Sequence, residues 1–103
     1  MQQTPCYMVM YEPPSTEQEL ADQKAIRAYY DDVSVHRIFP GLWFVISAPN
    51  AGCVAETFFQ ALGYRPRYLV SSIPAGTILR LTNEDVYLRH TLRDVFPSDV
   101  IVV

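Results

Sequence analysis

The stretch VSVHRIFPGLWFVISA, residues 33–48, decides the fold. Two runs rich in β-branched and aromatic residues, 33–39 and 42–48, flank Pro40-Gly41. Proline presets the first corner of a tight turn and glycine supplies a positive φ, so the dipeptide predicts a strand–turn–strand unit. Leu42, Trp43, Phe44, Val45 and Ile46 are apolar at every position. A strand with one wet face alternates, whereas an unbroken apolar run needs cover on both faces or on one face and an interface.

Working upstream, Cys6 to Tyr11 is a second strand of this kind. Cys6, Met8 and Met10 form one face and Tyr7, Val9 and Tyr11 the other. Glu12 closes it and Pro13-Pro14 stops further pairing. Ser15 and Gln18 then fit a capping box that opens a helix to about Tyr30. Its Glu, Gln, Ala and Lys residues are good helix formers. Ala21, Ala25, Ala28 and Tyr29 share a side, a small-residue face on which the helix is expected to approach a sheet. Asp31-Asp32 falls at the negative end of the helix dipole and favours a stop.

Working downstream, Asn50 is the cap of a second helix. Its stripe of Val54, Ala55, Phe58, Ala61 and Leu62 is apolar at helical spacing, and Gly63 is placed to end it. Tyr68 to Ile73 reads as the fourth strand, Pro74-Ala75-Gly76 as a turn, and Thr77 to Leu81 as a short fifth strand. A third helix is expected over about 83–96, with Val86, Leu88, Leu92, Val95 and Phe96 as its apolar positions, followed by a terminal strand after Asp99. The order predicts an α+β fold: a ferredoxin-like βαββαβ sheet with two helices on one face, plus a C-terminal helix and short terminal strand. Residues 1–103 are expected to form one domain, with about 82–103 as its C-terminal extension.

The composition agrees with a packed domain, being half hydrophobic and only 18% charged, which excludes a disordered tail. A formal charge of −3 and a pI near 5.2 exclude a polycation that coats nucleic acid. The charge is unevenly spread. Residues 1–32 carry six acids and two bases, 33–82 one acid and four bases, and 83–103 four acids and two bases. The central bases Arg37, Arg65, Arg67 and Arg80 are all arginine, which grips phosphate or carboxylate with two parallel donors. Arg65 and Arg67 straddle Pro66, with Tyr64 and Tyr68 on either side as stacking faces. These six residues are the candidate nucleic-acid contacts; the competing reading of the arginines is intramolecular ion pairing.

Catalytic signatures are lacking. The two cysteines, Cys6 and Cys53, form no metal-binding spacing and read as small core residues. His90 and Asp94, four apart on the expected third helix, read as an ion pair, and no phosphate loop is spelled out. No cofactor is expected. The N-terminus has no leader pattern and the longest apolar run is far too short for a bilayer, so a cytoplasmic protein without membrane contact is expected.

Tyr7-Met-Val-Met-Tyr-Glu12, then His36-Arg37-Ile38-Phe39, then Leu42-Trp-Phe-Val-Ile-Ser47 and a helix from Asn50 resemble the small CRISPR-associated adaptation subunits and their stand-alone relatives. The resemblance covers about residues 6–73. It implies a ferredoxin-like homodimer that holds DNA as a scaffold. Some relatives are metal-dependent nucleases with an aspartate ending the first strand, and the matching position here is Glu12, which in that reading would hold Mg²⁺. The expectation is a non-catalytic dimerising module that contacts DNA or RNA through the arginine set. The alternatives are a nuclease centred on Glu12, and a small inhibitor or antitoxin-like protein that binds a protein partner through acidic helices.

Overall fold

The computed structural model describes residues 6–31, 34–73, 77–80, 92 and 101–102. In chain order the elements are β1 (Cys6–Tyr11), α1 (Thr16–Arg27), β2 (Val35–Phe39), β3 (Leu42–Ile46), α2 (Ala51–Ala61), β4 (Tyr68–Ser72), β5 (Ile78–Leu79) and β6 (Ile101–Val102). The protein is α+β. Strands β2-β3-β1-β4 make one sheet in that order, and each neighbouring pair is antiparallel. Strands β5 and β6 pair in parallel as a separate two-stranded sheet. The third helix expected over 83–96 lies outside the described residues apart from Leu92, which is fully buried.

Both helices begin on the caps the sequence supplies. The Gln18 N–H donates to Ser15 Oγ at 3.0 Å, and the Cys53 N–H to Asn50 Oδ1 at 2.8 Å. The Gln18 side chain reaches forward to Asp22 Oδ1 instead of back to the cap.

The register separates two sheet faces. Tyr7, Val9 and Tyr11 stand opposite Val45 and Trp43 on β3 and Ser72, Val70 and Tyr68 on β4. This face meets Ile26 of α1 and Val54 and Phe58 of α2, joined by Leu62 just beyond it, in one core. The stripe expected on α2 is thus the one that packs. The choice of Val54 as the inward position turns Cys53 outward, so this cysteine is exposed and not in the core.

Helix α1 packs on a different side from the one its alanines suggest. Its buried residues are Glu19, Asp22 and Ile26, while Ala21, Ala28 and Tyr29 face solvent. Two buried carboxylates are tolerable only with strong donors. Glu19 has the Arg37 guanidinium at 2.5 Å and the Gln23 amide at 2.7 Å. Asp22 has two tyrosine hydroxyls and the Gln18 amide.

On the second face, Cys6, His36, Phe44 and Ile46 are buried at one end. That end opposes Met8 and Ser71, which are partly exposed. At the other end Phe39, Met10 and Leu69 are exposed, and this end holds the candidate site.

Candidate functional site

At this end of the second face one residue from each strand falls in a row. Phe39 pairs with Leu42, Leu42 with Met10, and Met10 with Leu69. Leu42 is buried, but Phe39, Met10 and Leu69 are 52%, 46% and 54% exposed. Three large apolar side chains exposed in one row across four strands are more than scattered surface hydrophobics. A register irregularity between Arg37 and Phe39 brings the Phe39 side chain onto this face. The sequence marked these strands as apolar on both faces, and so in need of cover or an interface, but not which of their residues stay exposed. The register sets them in one row, and their exposure makes that row a surface.

A shallow depression of about 410 Å³ lies at the Met10–Leu69 end of the row, lined also by Tyr11, Glu12, Arg67 and Tyr68. Three of the residues singled out from the sequence, Glu12, Arg67 and Tyr68, therefore meet there. Glu12 follows and Arg67 precedes the last paired residues, Tyr11 and Tyr68, so both lie at one end of the β1–β4 pair. An acid and a base thus line the same depression as two exposed apolar residues.

The other candidates are dispersed. Arg37 lies on the helix-facing side of β2 and is paired with Glu19. The Arg37 charge and the hydrogen bonds answer an effect of opposite sign: burial alone would raise the Glu19 carboxyl, yet its donors hold it below the usual 4.5. Arg37 thus follows the ion-pair reading. The Arg65 guanidinium sits 4.7 Å over the Phe59 ring, an arrangement that orients the cation while leaving its edge available. Tyr68 is half-buried, and its hydroxyl donates to the Ala55 carbonyl at 3.0 Å, so it packs as part of the core rim. Arg80 is exposed after β5.

Tyr64 combines an exposed ring with a committed hydroxyl. The residue is 39% exposed, while its hydroxyl donates to Asp22 Oδ2 at 2.8 Å. Tyr11 donates to the same oxygen at 3.0 Å. Burial, and then the Asp22 carboxylate, push both phenols well above their usual value, because the charged phenolate would face a buried anion. The Trp43 indole N–H lies next to the Tyr11 hydroxyl but closes no hydrogen bond. Arg27 covers the Trp43 ring at 5.3 Å. Sequence reasoning missed Asp22 because an acid in a glutamate-rich helix reads as a solvated face.

Among the described residues no carboxylate, histidine or cysteine joins Glu12 in a set of three or more that could hold Mg²⁺. Octahedral Mg²⁺ requires several well-placed oxygen ligands. Glu12 supplies one carboxylate, and Arg67, itself a cation, lines the same depression. No helix among the described residues is long and apolar enough to cross a membrane. No protein-family profile, no curated protein and no solved structure matches the chain.

Proposed function

We propose that the chain is a dimerising binding module of ferredoxin-like build that contacts nucleic acid beside its dimer interface. The all-antiparallel order β4-β1-β3-β2, with α1 and α2 contributing to one core, supports the ferredoxin-like assignment. The row Phe39–Leu42–Met10–Leu69 carries the dimer reading. Glu12 and Arg67 favour a second copy as its occupant, because a patch with both an acid and a base is self-complementary. About a two-fold axis each Glu12 meets Arg67 of the partner subunit. Arg65 and the Tyr64 ring then remain for phosphate and base, once on each side of the axis, and two weak sites on one dimer reinforce each other.

Light scattering combined with a gel-shift titration tests both halves. Wild type is expected as a dimer, and Leu69→Asp as a monomer that keeps the wild-type circular dichroism. Charge reversal at both Glu12 and Arg67 is expected to restore the dimer that either reversal alone weakens. Nucleic-acid affinity is expected to fall with salt, and Arg65→Ala to lessen the logarithmic salt slope by about 0.7–0.9 for each phosphate it no longer neutralises. A monomeric wild type would remove the dimer reading. Binding that ignores salt, or no binding, would remove the nucleic-acid reading.

A further inference from the structure

We infer that Tyr64 is a positioning residue: its bond to the buried Asp22 carboxylate latches the loop between α2 and β4 and holds Arg65 in the orientation used for binding. The role in binding rests on the reading of this loop as the nucleic-acid contact; the latch itself does not. Asp22 is 2% exposed, and its carboxylate is held by Tyr11 and Gln18 independently of Tyr64. It is a rigid anchor. The Tyr64 ring is too exposed for packing alone to hold it, so the hydroxyl supplies the attachment.

The next residue needs such an attachment. Arg65 has φ +54°, in the left-handed region that arginine disfavours, and its N–H donates to the Leu62 carbonyl at 2.9 Å. Conformations of this kind persist only where their surroundings over-determine them. Here the determinants are the Tyr64–Asp22 bond on one side and the Arg65–Phe59 stack on the other. The loop end at Tyr68 is held separately, by its bond to Ala55 on α2. Releasing Tyr64 lets Arg65 relax toward ordinary φ, and its guanidinium leaves the place it holds over Phe59.

Amide hydrogen exchange reads the latch without any ligand, with the Arg65 N–H as reporter. In Tyr64→Phe, which keeps the ring and removes one hydroxyl, Arg65 exchange is expected to accelerate about five- to tenfold, the factor one net hydrogen bond supplies. Trp43 and Val45 amides are expected to keep their wild-type rates. Tyr68→Phe, at the far end, is expected to leave Arg65 unchanged. Asp22→Asn, which preserves shape and weakens the acceptor, is expected to give a smaller acceleration, and it serves where Tyr64→Phe also loosens the core amides. Unchanged Arg65 exchange in both variants overturns the latch. With a short labelled DNA duplex as probe, Tyr64→Phe is expected to bind several-fold more weakly with an unchanged salt slope, since Arg65 still reaches its phosphate once binding reorders the loop. Faster exchange with unaltered affinity overturns the positioning role and leaves a purely structural bond. Failure of wild type to bind any nucleic acid removes the function reading, and the exchange result still decides the latch.

Discussion

At Gly41 the chain turns with φ +86°, and its carbonyl accepts the Tyr11 N–H at 2.8 Å, which ties the β2–β3 turn to the end of β1. A Cβ at this position would overlap the Tyr11 carbonyl oxygen and press Pro13 Cδ at 3.1 Å. Gly41→Ala combines a disfavoured φ with a clash against backbone, which cannot swing aside. It is expected to cost about 2 kcal/mol or more in urea unfolding. Gly63, which has open space around it, is expected to accept alanine with a change of less than about 0.5 kcal/mol, so it serves as the control. Gly41 was legible in the sequence because Pro-Gly between two apolar runs has few other uses. Asp22 and Glu19 were not: a carboxylate announces its charge but not its partner, and Tyr11, Tyr64 and Arg37 reach them from elements distant in sequence.

For whole elements, α2 and α1 show where hydrophobic periodicity succeeds and fails. In α2 the apolar residues Val54 and Phe58, with Leu62 just past the helix, fall on one stripe and pack as the pattern requires. In α1 only Ile26 is a large buried apolar residue, and the inward stripe is completed by two carboxylates. Periodicity ranks residues by apolarity, so it chose the alanine face. The structure prefers the side on which Glu19 and Asp22 find donors, because unpaired buried carboxylates would not be tolerated. Two substitutions separate these alternatives. Ile26→Ala is expected to destabilise by about 2–4 kcal/mol in chemical denaturation, the cost of a cavity in a closed core. Ala21→Lys is expected to stay within about 0.5 kcal/mol, since its site faces solvent. The reverse ranking would place the alanine face against the sheet.

For the molecule as a whole, the Glu19–Arg37 pair joins α1 to the sheet and couples stability to acid. The folded-state Glu19 carboxyl lies below its usual 4.5, so just below that pH the native chain binds fewer protons than the unfolded chain. Its contribution is complete above the unfolded value and is lost as pH falls through the folded one. Urea unfolding at stepped pH is expected to show wild type losing stability from about 4.5 downward, with part of that acid slope absent in Glu19→Gln. An identical slope in the two proteins would remove Glu19 from the acid response. By itself the sequence determined the α+β class, the N-caps of both helices, the Pro40-Gly41 turn, the four long strands and the inward stripe of α2. Each of these is set by residues within a few positions of one another. Only the tertiary structure decided which side of α1 is buried, that Arg37 is paired inward, that Tyr64 is anchored on Asp22, and that Phe39, Met10 and Leu69 form one exposed row beside Glu12 and Arg67. Those depend on strand register and on contacts between elements far apart in the chain, where the identity of a residue fixes what it can bond but not which partner the fold brings to it.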